Sequence, residues 1–249
     1  MSRKDRYKKK MKAQNEAQNQ TLVVQANIDT KPPSSLRRGS YVVTSQGLKP
    51  QWEPEVQGIL FRLYKLSQSS PARAIPELLD MIERYPEVPA FQNYLSIAYT
   101  VQGNVRKANL EIAKTYQQFP DYLFAKAGYV RILVEADQLE KAAVILDGKF
   151  TISEHYPERN EFHLTELTAF NYSAGLYLLR IGQYAEAIDL YQEMRSIAPH
   201  DDITQVLRLE LELADAYRIL KPVEAATRLG DTMPMSFVNR LVANLLNRL

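Results

Sequence analysis

From Phe91 to Pro120 the apolar residues recur at helical spacing in two runs. Leu95, Ala98 and Tyr99 fall on one face, and Gly103-Asn104 interrupts them. Ala108, Ile112 and Tyr116 then recur every four residues until Pro120 ends the run. The spacing predicts two short helices joined by a tight turn. The same arrangement returns along the chain from about Glu53 onward, so the pattern predicts a series of helical hairpins. One amphipathic hairpin cannot bury its apolar face alone, and successive hairpins bury it by stacking.

The recurrence has a fixed period. Pro86 and Pro120 are 34 residues apart, and each follows an aromatic residue, Tyr85 or Phe119. Each lies 12 residues after an alanine, Ala74 or Ala108, and Ala142 follows after another 34. Small residues such as Ala98, Ala108, Ala142, Gly175, Ala187, Ala214 and Ala226 let helices approach closely where they cross.

A 34-residue helix–turn–helix period resembles the tetratricopeptide repeat. The unit from Pro89 carries Leu95, Ser96, Tyr99, Gly103, Ala108, Ile112 and Pro120 at the family's positions. The unit from Thr168 carries Ala174, Gly175, Leu178, Gly182, Tyr184, Ala187, Tyr191 and Pro199. The unit from about Leu123 has Leu133, Ala142 and Leu146 but ends in Asp147-Gly148 without a closing proline. The unit from about Leu207 has Leu213, Ala214, Tyr217 and Ala226, with Lys221-Pro222 at the expected turn. The unit from about Glu55 keeps Ala74, Leu78 and Pro86, while its first helix departs from the pattern. The resemblance covers residues 53–230. It implies an all-α, right-handed superhelical solenoid of antiparallel helix pairs.

Two features interrupt or end the array. Ala142 and Ala187 are 45 residues apart, and the extra residues fall in an insertion at 148–167 that lengthens a helix or makes an elbow. Met235 to Leu249 places Phe237, Leu241, Val242, Leu245 and Leu246 at helical spacing and reads as a C-terminal capping helix. The helical repeat domain is thus expected over 51–249, and residues 1–50 are read as a basic, disordered tail and linker. Within that linker Tyr41-Val42-Val43 suggests a short extended segment or a staple onto the first helix pair.

Charge sharpens the division. Ten Lys/Arg against three acids give residues 1–40 a balance of +7, so a total of +2 leaves the body near −5. The tail admits three readings: contact with nucleic acid, contact with an acidic protein or membrane surface, and a solubilising tail. No cysteine is present, which excludes disulfides, thiolate metal sites and a Cys nucleophile. No apolar run is long enough to span a bilayer, and none follows the basic start as in a signal peptide, so a cytoplasmic protein without membrane insertion is expected.

Candidate chemistry is sparse. His155 and His163 lie in the insertion with Glu154, Glu158 and Glu161, but eight residues apart they fit no standard zinc spacing. His200-Asp201-Asp202 suits capping of the helix that follows. No Gly-rich phosphate loop, nucleophile elbow or zinc-protease motif occurs. The reading is a non-enzymatic scaffold without metal or cofactor.

The resemblance implies a concave groove lined by the first helix of each hairpin. Its positions fall on Asn93, Tyr94, Ile97 and Thr100; on Phe124, Arg131 and Glu135; and on Tyr172, Ser173, Leu176, Leu179 and Arg180. Such a surface suits a peptide or protein segment. Ile97 and Leu176 stand where chaperone-binding members of the family clamp a carboxylate with Asn, so that role is disfavoured. The alternatives are an RNA- or ribosome-associated factor anchored by the tail, and a homo-oligomeric adaptor joined through the terminal helix.

Overall fold

The structure, a computed structural model, describes residues 24–25, 41–45 and 52–228, with side chains over 41–45 and 52–216. The basic stretch at the start of the chain and the expected helix Met235 to Leu249 lie outside the described residues. Within them the chain is mostly helical, with ten helices and three short strands. No helix of the described residues is long and apolar enough to cross a membrane.

The helices follow one another as neighbours in space. α1 (Pro54–Ser69) and α2 (Pro71–Arg84) form the first pair; α3 (Pro89–Val101) and α4 (Val105–Gln118) form the second. α5 (Leu123–Glu135) pairs with α6 (Leu139–Leu146), followed by the single turn α7 (Ile152–His155). α8 (Leu164–Arg180) pairs with α9 (Tyr184–Ile197), and α10 (Asp202–Arg228) packs on both. Prolines open α1, α2 and α3, where a missing N–H costs nothing. Asn104 caps α4 by accepting from Lys107 N–H at 3.2 Å, and Asp201 Oδ1 caps α10 from Ile203 N–H at 2.9 Å.

Two backbone devices recur with the hairpins. The turn inside a pair closes with a bond from Asn104 N–H to Tyr99 O, from Gln138 N–H to Leu133 O and from Gln183 N–H to Leu178 O, each 2.8 Å. A residue of positive φ precedes each donor: Gly103 at 75°, Asp137 at 56° and Gly182 at 82°. The second device ends each pair. Tyr85, Phe119, Tyr156 and Ala198 adopt nearly the same conformation, φ −130 to −136° and ψ 63 to 70°, and a proline follows each.

This second device corrects the reading of the third unit. Tyr156-Pro157 is its closing pair, 37 residues after Phe119-Pro120 rather than 34. The second helix of that unit breaks at Asp147-Gly148, both at positive φ, and resumes as α7. The rest of the insertion forms β3 (Glu161–His163), which pairs in parallel with β2 (Val42–Thr44); β1 (Val24–Gln25) pairs antiparallel on the far side of β2. The extended segment expected at Tyr41 is present, but it docks on the insertion and not on the first helix pair.

The fifth hairpin is also different from expectation. α10 runs through Lys221-Pro222 as one helix of 27 residues. Proline starts a helix well but also sits inside one at the loss of a ladder hydrogen bond, and helix-favouring residues flank it here.

Apolar burial divides into two clusters. Leu60, Leu63, Ala74, Leu78, Phe91, Leu95 and Ala98 form one between α1 and α3. Val43, Leu133, Leu146, Phe162, Leu178, Leu190 and Leu207 belong to the other, from α5 onward. The repeated alanines Ala74, Ala108, Ala142 and Ala187 are at most 2 % exposed, as close helix crossing requires. Between the clusters α4 meets α5, where Gly128 faces Ile112 and Tyr116 stacks on Tyr129 with centroids 4.9 Å apart.

Candidate functional site on the first helices

The first helices contact one another at most junctions: α1 packs on α3, α5 on α8 and α8 on α10. Their contacts line up four aromatic rings. Tyr64 of α1 lies against Tyr94 of α3, with centroids 5.3 Å apart and planes tilted by 51°. Tyr122, at the entry to α5, meets Phe124 edge-on at 5.8 Å. Asn93 and Tyr94 of α3 are among the groups that act on the Tyr122 hydroxyl, which brings the two pairs near one another. Tyr64 is exposed and the other three are half-buried, so ring surface remains open to a ligand.

Burial, with Tyr64 adding to it, pushes the Tyr94 hydroxyl up to about 12. Burial also raises Tyr122, with Tyr94 and Glu166 reinforcing it and the Asn93 amide opposing. Both phenols are therefore neutral at physiological pH. The row offers apolar ring faces together with neutral hydroxyl and amide groups. Such groups can pack a side chain and hydrogen-bond a peptide backbone at once.

A charged group sits further along. One guanidinium nitrogen of Arg131 donates to both Glu135 carboxylate oxygens, at 2.7 and 2.6 Å. The other reaches Asn109 Oδ1 at 3.3 Å. Tyr172 lies beside them: burial, then Glu210 and Glu135, raises its hydroxyl, while Arg131 opposes. A partly exposed pair of this kind holds together by about 1 kcal/mol or less. A ligand carboxylate can therefore exchange for Glu135.

The structure brings some of the expected groove residues together and removes others. Asn93, Tyr94 and Phe124 form the row; Arg131, Glu135 and Tyr172 form the charged group. Ile97 is half-buried on α3, Thr100 is exposed with its hydroxyl donating to Ser96 O at 2.9 Å, and Arg180 is exposed at the end of α8. Ser173, Leu176 and Leu179 are corrections. Leu176 is 4 % exposed, Leu179 belongs to the same core, and the Ser173 hydroxyl donates to Ala169 O at 3.0 Å. Their burial follows from the position of α8, which has α5, α9 and α10 around it. A Cβ at Gly175 would stand only 3.2 Å from the Leu207 methyls, so α10 lies directly on this helix.

The histidines of the insertion have local roles. His163 opens α8: its ring Nδ1 accepts from Thr165 N–H, while Glu166 accepts from His163 N–H at 2.9 Å. His155 packs edge-on against Phe170 at 5.0 Å, and its Nε2 lies 3.1 Å from Lys149 O. Among the described residues no group of three His, Asp or Glu is placed to hold a metal ion.

Sequence reasoning missed Tyr64 and Tyr122. Tyr64 lies in the helix that departs from the repeat, and Tyr122 precedes its helix by one residue. An aromatic directly ahead of Leu123-Phe124 was the available signal for the second. Compared with protein-family models, curated proteins and solved structures, the chain matches none.

Proposed function

We propose that the chain is a non-enzymatic, tetratricopeptide-like scaffold that holds an extended segment of a partner protein along its first helices. The observation that carries this reading is the row Tyr64–Tyr94–Tyr122–Phe124, which spans three successive hairpins with ring surface left open. The conformation shared by Tyr85, Phe119, Tyr156 and Ala198 supports the solenoid arrangement, because equal junctions set equal angles between hairpins. A peptide laid across the row would place apolar side chains on the rings. Its backbone would meet Asn93 and the phenol hydroxyls, and its charged groups would meet Arg131 and Glu135.

The test is selection from a random peptide library on the immobilised full-length protein. Wild type should enrich peptides sharing aromatic or apolar residues at regular intervals. A Tyr64→Ala/Tyr94→Ala variant with an unchanged circular dichroism spectrum should lose that enrichment. Absence of any shared pattern, or the same pattern from the variant, would overturn the proposal.

A further inference from the structure

The solvent-facing side of α1 carries a groove of about 390 Å³ lined by Phe61, Arg62, Lys65, Leu66, Ser69 and Arg73. Phe61, Lys65 and Ser69 recur at the spacing of one helical face, with Arg62 and Leu66 beside them. The buried residues of α1, Leu60, Leu63 and Ser67, lie on the opposite side. Phe61 is 63 % exposed, so most of its ring faces solvent.

The charged residues that line the groove have one sign. Lys65 Nζ lies 4.1 Å from the centroid of the Phe61 ring. Arg62 is bound to Glu77 at 2.6 Å, whereas Lys65 and Arg73 form no ion pair among the described residues. No acidic residue lines the groove. It is a basic and apolar spot on a body whose balance is near −5.

We propose that this groove takes an acidic amphipathic segment of a partner protein. One apolar side chain would rest on Phe61 and Leu66, and flanking carboxylates would meet Lys65 and Arg73. Lys65 can bond a carboxylate while staying over the ring, since its ammonium carries three donors. Charge argues against the chain's own start as the occupant, because residues 1–40 carry +7 and would be repelled. The surface is separate from the tyrosine row: Tyr64, the nearest ring of that row, turns toward α3.

The probe is a synthetic helix of about four turns with leucines on one face and glutamates on the other, alongside a twin carrying lysine for each glutamate. Binding to the isotope-labelled full-length protein is followed by fluorescence anisotropy and by amide shift mapping. The acidic peptide should bind saturably, more weakly as salt rises, with its largest shifts along α1 and at Arg73. The lysine twin should not bind. Lys65→Glu and Arg73→Glu are surface changes that should keep the fold and weaken binding about tenfold or more. Phe61→Ser should weaken it without altering the salt dependence. Tyr94→Ala should leave it unchanged, which distinguishes this site from the row. Equal binding of both peptides, shifts centred elsewhere, contacts from residues 1–50 already filling the groove, or self-association through α1 would each overturn the proposal.

Discussion

Tyr41→Phe isolates a single donor in the docked N-terminal segment. Tyr41 sets its ring edge-on against Phe162 at 5.4 Å, and its hydroxyl donates to Glu193 Oε1. The other carboxylate oxygen accepts from Asn171 Nδ2 at 2.9 Å, and Glu193 is only 4 % exposed. Phenylalanine keeps the ring contact and removes the donor, so a buried charged acceptor loses one of its two side-chain partners. A hydrogen bond to a charged group contributes about 1.5–3 kcal/mol, and a buried acceptor left open sits toward the upper end. At about 2–4 °C per kcal/mol for a chain of this size, roughly 2 kcal/mol lowers the melting temperature by about 4–8 °C. Thermal and urea melts followed by circular dichroism on the full chain measure it. In a Glu193→Leu background the same change should cost almost nothing, since the acceptor is gone. A Tyr41→Phe protein melting within about 1 °C of its parent, or an equal cost in the Glu193→Leu background, would refute the reasoning.

Other outcomes follow from the same structure. Burial and the Lys126 charge hold the His155 imidazole below its ordinary value of 6.5, against the Lys149 carbonyl contact and the Glu154 charge. Its folded-state affinity for protons is thus lower than in the unfolded chain, so stability is full above pH 6.5 and falls as pH drops from there toward the lower folded value. Melts from about pH 8 to about pH 5 should show this fall, and His155→Phe should flatten it. The turns supply a matched pair of substitutions: Gly103→Ala, at φ 75°, should cost about 1–2 kcal/mol, and Asp137→Gly, at φ 56°, should gain up to about 1 kcal/mol by relieving the same geometry. Urea midpoints give both signs directly. Leu176→Ala should destabilise by about 2–5 kcal/mol because it empties a core position, whereas Tyr172→Ala, on the half-buried face, should cost less and act on peptide capture.

The period was legible because its cause is local and repeated. Close helix crossings demand small residues, and Ala74, Ala108, Ala142 and Ala187 stand where hairpins cross, each nearly or fully buried. The exceptions were hidden where one geometry is reached by different residues. Asp137 takes the left-handed turn that glycine takes at Gly103 and Gly182, and its cost is offset by the same closing bond. Tyr156-Pro157 closes the third unit, but the break at Asp147-Gly148 shifts it three residues out of period. A fixed-period reading therefore assigns it to the insertion. The docking of Val42–Thr44 carries still less signal, since a strand of three residues has no periodicity and its partner Glu161–His163 lies more than a hundred residues away.

The site was legible only as far as one helix determines it. Position within a hairpin identifies which face of a first helix turns toward its neighbours, and Asn93, Tyr94, Arg131 and Tyr172 are each only partly buried there. It cannot say how many neighbours that face meets. On α3 and α5 the face stays partly open, so Tyr94 and Phe124 are half-buried. On α8 the same positions are closed by α10 and by the helices on either side, so Leu176 and Leu179 join the core. The difference lies in α10, whose single uninterrupted helix reaches Gly175 with Leu207. The glycine there is the residue-level trace of that closure: a first helix that carries glycine at its crossing is one on which another helix lies flat. Gly128 plays the same part where Ile112 of α4 approaches α5. The partly open face, where a peptide proposed to lie along the first helices would find room, thus runs from α1 to α5 and narrows at α8.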